Sequence, residues 1–258
     1  MIKNKSFILP LSFFILAVSV IFLLLYIIDG IQDRRDQEEL IRKKHSVTES
    51  AINVADLSGK KEILPQYKIL YEENRDLIGW VKIEGTSLDY PVMQNKDDNE
   101  YYLHRNFYGE YEYSGLPFLD LKCSFEQPST NLIIYGHNMK SDAMFSCLTR
   151  YTEKEFFLKH PVIRFDTIYE EGEYEIIAVI LSKVYKKTDE VFKFYKFTQA
   201  ENEAEFDEYI RNMKNISLYE TGLDAAFGDR LITLVTCNYH TENGRLAVLA
   251  KRLPAEQN

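Results

Sequence analysis

The sequence predicts a mainly β domain, a barrel or a sandwich, carried behind one apolar helix at the amino terminus. Three observations lead there. From Ile78 onward, short runs of β-branched and aromatic residues are punctuated by turn residues. The runs Leu231-Ile-Thr-Leu-Val-Thr-Cys237 and Arg245-Leu-Ala-Val-Leu-Ala250 flank a polar connection, Asn238-Tyr-His-Thr-Glu-Asn-Gly244, and read as a hairpin. Ahead of everything, Phe7 to Ile28 is apolar apart from Ser12 and Ser19, with Pro10 near its start.

As a helix that first run spans about 33 Å, close to the hydrocarbon thickness of a bilayer. Lys3 and Lys5 precede it with no acidic residue, which favours an inside amino terminus. The later Arg34, Arg35, Arg42, Lys43 and Lys44 are interleaved with Asp33, Asp36, Glu38 and Glu39. The run is longer than a signal-peptide core and meets Tyr26-Ile-Ile-Asp29 without a small-residue cleavage site, so an uncleaved anchor is expected. The resulting plan is a short cytoplasmic tail at 1–6, a transmembrane signal-anchor at 7–28, a helical juxtamembrane segment at 29–62 and a folded domain at 63–258. That makes a single-pass protein of the cell membrane with its domain on the extracellular side.

Residues 31–52 are charged and free of Gly and Pro and read as a helix, with a break at Ser58-Gly59-Lys60-Lys61. A further helix is expected over Pro65 to Asn74, with Tyr67, Leu70 and Tyr71 on one face. The expected strands are Gly79–Ile83, Leu88–Met93 after the turn Glu84-Gly85-Thr86, Leu116–Leu119, Asn131–Tyr135, Val162–Phe165, Tyr174–Leu181 and Val191–Phe197, then the two runs of the hairpin. Two helical periods interrupt them, over Met144–His160 and Glu201–Leu218. There is no internal repeat and no second linker, so one domain is expected.

Composition narrows the function. The 258 residues are 45% hydrophobic and 14% aromatic, enough for one substantial core. With 40 acidic against 31 basic side chains the net charge is -9, which argues against a nucleic-acid partner held by phosphate contacts. Cys123, Cys147 and Cys237 form no CxxC pair, which excludes a Cys-rich zinc site and argues against a disulfide scaffold. No metal and no cofactor are expected.

Chemistry concentrates at strand ends. Cys237 closes an apolar run, and the hairpin brings it beside Arg245, a thiol next to a fixed cation. A catalytic thiol needs a proton partner. Of the five histidines, His45 and His160 lie in polar surroundings and are expected to be solvated, and His104 has aromatic neighbours suited to packing. His137 follows an apolar strand and a glycine, a placement like that of Cys237, while His240 lies in the hairpin loop. Spacing leaves His137 and His240 as rivals.

Tyr135-Gly-His-Asn-Met139, Thr233-Leu-Val-Thr-Cys237 and Gly244-Arg245 together resemble the sortases, membrane-anchored cysteine transpeptidases of Gram-positive bacteria. Asp76-Leu-Ile-Gly-Trp-Val-Lys-Ile83, Asp89-Tyr-Pro-Val92, Asn106-Phe-Tyr-Gly-Glu110, Ser114-Gly115 and Phe118-Leu-Asp120 are similar to class B. The resemblance covers roughly residues 64–253. It implies a closed eight-stranded β-barrel with amino-terminal helices and a helix just before the cysteine strand. It further implies Cys237 as nucleophile, Arg245 as a clamp on the oxyanion or substrate backbone, and His137 as proton carrier. Asn99 and Thr236 would line the substrate groove. The implied reaction cleaves an NPxTx-like sorting motif of a secreted protein after Thr, through a thioester, and transfers it to a peptidoglycan-type amine. A pilin-polymerising enzyme is the alternative within the family; another cysteine hydrolase and a non-catalytic membrane-anchored binding module are the alternatives outside it. The chain departs from some class B members at Asn238 and Tyr239, where an acidic residue follows the cysteine, and at Val235, often Ser.

Overall fold

The computed structural model describes residues 5–46 and 61–254, in two compact units that divide between Arg42 and Lys43. Helix α1 (Lys5–His45) runs without interruption, and among the described residues it is the one helix long and apolar enough to cross a membrane. Its large apolar side chains between Phe13 and Ile28 are mostly exposed. A helix apolar on all sides offers no polar face to water and needs an apolar surrounding. The expected helix over 31–52 is continuous with the apolar one as far as His45. Residues 47–52 and the expected break at 58–60 lie outside the described residues.

In the second unit Pro65 opens a 3-10 turn that leads into helix α2 (Lys68–Glu73). Proline suits that first turn because its missing N–H would have no helical acceptor there. Tyr67 and Leu70 are fully buried on the face that the spacing predicts. The strands are β1 (Leu77–Lys82), β2 (Asp89–Met93), β3 (Phe118–Leu119), β4 (Asn131–Tyr135), β5 (Val162–Thr167), β6 (Glu173–Lys183), β7 (Leu231–Cys237) and β8 (Gly244–Arg252). They close into a barrel in the order β1-β2-β3-β4-β7-β8-β6-β5. The β2–β3 and β4–β7 junctions are parallel and the others antiparallel. Closure leaves no free sheet edge, so the choice between barrel and sandwich falls to the barrel.

Three expected elements differ. The strand over Leu116–Leu119 shrinks to Phe118–Leu119, because Pro117 has no N–H to give to a ladder. The helix over Met144–His160 is divided into a 3-10 segment at Ser146–Thr152 and helix α3 (Lys154–Lys159). Glu153 is extended between them, and the hydroxyls of Ser146, Thr149 and Thr152 each bond a carbonyl three residues back. Such local bonds compete with regular α-helix.

Helix α4 (Glu203–Asn215) begins where the Asn202 side chain accepts from the Glu205 amide, and it buries Phe206, Tyr209, Ile210 and Met213. It also explains the third difference. Val191–Phe197 alternates like a strand but is irregular, with a 3-10 turn at Phe194–Lys196. Phe197 stacks on Tyr209 at 4.0 Å and Phe192 lies 5.8 Å from the same ring. The aromatic residues pack on α4, and the closed barrel has no place for a ninth strand.

A buried polar cluster sets the register of the two central parallel strands. Thr233 Oγ1 donates to Asn131 Oδ1 at 2.9 Å, while Asn131 Nδ2 donates to the Phe197 carbonyl and the Tyr209 hydroxyl. Both residues are fully buried, so a one-residue slip of β4 against β7 would leave these groups unpaired.

Candidate active site

Strand β7 ends at Cys237, and its last residue pairs with Arg245, the second residue of β8. The connection is tight. The Asn238 amide donates to the Gly244 carbonyl, Asn243 is left-handed at φ 55, and a side chain on Gly244 would come within 2.1 Å of the Asn238 carbonyl. On the other side of β7, strand β4 runs parallel with Tyr135 opposite Val235. The Gly136 amide continues the ladder to the Val235 carbonyl, and Thr236 Oγ1 donates to the Gly136 carbonyl at 2.8 Å. One step further, the same register sets His137 level with Cys237. Asn138 Nδ2 then donates to the Cys237 carbonyl at 3.0 Å, tying the two strand ends together.

Continued past Tyr135, that register makes a row of His137, two residues beyond the end of β4, with Cys237 on β7 and Arg245 on β8. Adjacent strands are about 5 Å apart, and laterally paired residues point to the same face. The row puts an imidazole on one side of a thiol and a permanent cation on the other.

The three thiols are not equivalent. Cys123 is 4% exposed, with its thiol against the Asn131 carbonyl, and burial pushes it up to about 12. Cys147 is 1% exposed and burial pushes it up to about 11. Cys237 is the half-exposed one, at a strand end beside a guanidinium. A reagent or substrate can reach only that sulfur without opening the fold.

His137 is half-buried and its Nε2 lies 2.8 Å from the Leu103 carbonyl. An acceptor there requires the proton on Nε2, which in the neutral ring leaves Nδ1 with the lone pair. Burial holds its pKa below the ordinary histidine value; the Leu103 contact opposes that and the nearby His104 adds to it. Burial thus favours the neutral imidazole over the imidazolium.

The Leu103 carbonyl is itself held from behind. Gly115 is left-handed at φ 56, and a Cβ there would come within 2.3 Å of that oxygen. Gly115→Ala is therefore expected to cost about 2 kcal/mol or more of stability, by denaturant melting. Its turnover should fall even where the protein stays folded, because the carbonyl that sets the His137 ring must move.

Arg245 is half-buried, with Nη1 3.0 Å from the Gly244 carbonyl. No carboxylate among the described residues makes an ion pair with it. Its field reaches Tyr135 on β4, whose phenol is raised by burial and by Asp120 and slightly relieved by Arg245. An unneutralised guanidinium facing the thiol row is suited to hold an oxyanion or a peptide carbonyl.

His240 is exposed in the hairpin loop with Nδ1 2.9 Å from Asn238 Oδ1, outside the row. His160, expected to be solvated, is half-buried with Nδ1 on the Glu84 carbonyl at 2.8 Å. Thr236 is 2% exposed and its hydroxyl is committed to Gly136, so it supports the site from beneath. Asn99 is half-exposed and its Oδ1 accepts from the Leu121 amide at 2.7 Å. Sequence reasoning missed the Leu103 carbonyl, which carries no residue-type signal, and the Asn138 tie, although Asn138 directly follows His137. It named His104 only as a packing residue. Among the described residues there is no group of three or more His, Cys, Asp or Glu placed to hold a metal ion.

Residues 81–253 match the family model of the sortase domain. Sortase B of Listeria monocytogenes serovar 1/2a is 35% identical over 192 residues, which cover 74% of this chain and 75% of the relative. The solved Staphylococcus aureus sortase B–substrate complex superposes with a TM-score of 0.74 at 27% identity, over 89% of this chain and all of that one. A crystal structure of sortase B complexed with triglycine also superposes with a TM-score of 0.74, at 28% identity, over 88% of this chain and 100% of that chain.

Proposed function

Because this chain belongs to the sortase family and is a class B cysteine transpeptidase, we propose that Cys237, His137 and Arg245 carry its chemistry. The observation that supports this is the strand register, which pairs Cys237 with Arg245 across β7 and β8 and, continued two residues past the end of β4, brings His137 level with Cys237. The Cys237 thiolate attacks the carbonyl carbon of a threonine in the sorting motif. The oxyanion that forms lies against the Arg245 guanidinium. His137, as imidazolium, gives its proton to the departing amine; the C–N bond breaks and a thioester remains on Cys237. An incoming amine then attacks the thioester, His137 takes its proton, and the thiolate leaves with a new amide formed.

The partners follow by analogy. Sortase B structures have been solved with a substrate and with triglycine; for this chain we propose the sorting signal of a secreted protein and a peptidoglycan-type amine. Asn99 flanks the groove, and Thr236 shapes it through Gly136. Residues 7–28 are the transmembrane signal-anchor, 1–6 the cytoplasmic tail, 29–62 the juxtamembrane segment and 63–258 the catalytic domain on the extracellular side of the cell membrane.

The test is a peptide-library cleavage assay on the detergent-solubilised full chain, read by mass spectrometry with and without amine acceptors. One family of peptides should be cut after Thr, and added amine should appear as mass on the amino-terminal product. If no peptide is cut, or if cutting persists after Cys237 has been capped with a methanethiosulfonate reagent, the proposal fails.

A further inference from the structure

His137 does not stand alone at its end of the row. The His104 ring stacks on it with centroids 5.2 Å apart and planes 28° from parallel. Tyr113 stacks on His104 at 5.9 Å and lies nearly parallel to His137 at 6.5 Å. His104 is held in turn, with Nδ1 3.1 Å from the Tyr113 carbonyl and the Tyr111 ring 6.3 Å away. It ends the 3-10 turn Tyr101–His104, next to Leu103, whose carbonyl takes the His137 Nε2. One short turn thus fixes the His137 ring twice, through its edge by a hydrogen bond and through its face by a second imidazole.

We propose that His104 is a positioning residue for His137, holding the ring plane by stacking and opposing, by its own charge, the imidazolium that proton donation needs. The inference rests on the reading of His137 as proton carrier. Two cations at ring-stacking distance repel, so charge on one ring opposes charge on the other. The groups that face the pair leave this coupling in place. From the loop after the turn come the rings of Tyr111 and Tyr113, and Glu112, whose amide donates to the His104 carbonyl. Just after the turn, Arg105 lies over the Tyr101 ring and bonds the Gly109 carbonyl. Across the row stand Cys237 and Arg245. The lowering of the His137 pKa, with His104 among its causes after burial, agrees in direction.

The experiment compares His104→Phe with His104→Ala in the full chain. Phenylalanine keeps a flat ring on His137 and removes the charge; alanine removes both. Two quantities are read: the pH dependence of kcat/KM, and the His137 imidazole titration by NMR, assigned with His137→Gln. In His104→Phe the His137 midpoint and the acid limb of kcat/KM should both move to higher pH. In His104→Ala, kcat should fall about tenfold or more as the ring loses its orientation, and His104→Phe should restore most of it. An unmoved NMR midpoint in His104→Phe overturns the inference whatever the activity does. A midpoint that moves while the acid limb stays still upholds the coupling and overturns His137 as proton carrier. The two ideas therefore fail separately.

Discussion

Cys237→Ala is expected to abolish transpeptidation, a loss of roughly four orders of magnitude or more in kcat/KM, while the fold survives. No other thiol can take over. Cys123 and Cys147 are buried, and burial raises their pKa to about 12 and about 11, so neither supplies thiolate at neutral pH. Cys237 is half-exposed at a strand end, so removing its sulfur should change stability by no more than about 1 kcal/mol. A methanethiosulfonate reagent should add one label to the native chain and three to the unfolded one. Residual turnover within a hundredfold of the parent, in a variant that melts normally, would sink the assignment.

The second large effect separates the two histidines that spacing left as rivals. His137→Ala should lose about a thousandfold in kcat/KM, in the range of a general acid and base. His240→Ala should stay within about threefold, since its ring serves only to bond Asn238 in an exposed loop. Equal losses would mean that the row is not the catalytic set. The same variants carry a stability signature. The folded His137 binds its proton less readily than the unfolded chain does, because it is buried. The unfolded state therefore holds more protons below the ordinary histidine value, and stability falls as the pH drops through that window. His137→Ala should flatten this part of the stability curve, and urea melts between pH 7 and 5 would read it.

The hairpin was legible because its signals are local. Apolar runs on either side of a Gly-bearing connection specify a pairing, and that pairing places Cys237 opposite Arg245. The strand over Asn131–Tyr135 was legible for the same reason. The run Val191–Phe197 has the same alternation and is not a strand, because its aromatic residues meet α4 and the barrel is already closed. Alternation reports which side chains are buried and leaves open what they are buried against. The choice between His137 and His240 was likewise beyond spacing. The resemblance names His137, and the parallel pairing of β4 with β7, a contact about a hundred residues apart in the chain, favours it.

By itself the sequence determined the apolar span of the first helix, the strand-ending thiol, its arginine neighbour and, through the resemblance, the family. Each depends on residues close in the chain or on motif identity. Only the tertiary structure decided how the strands that carry His137 and Cys237 are paired, which thiols are closed to solvent, and how the His137 ring is held. Those outcomes depend on register, burial and a main-chain carbonyl. A backbone oxygen such as that of Leu103 is present at every position in the chain, so only the fold can give it a task.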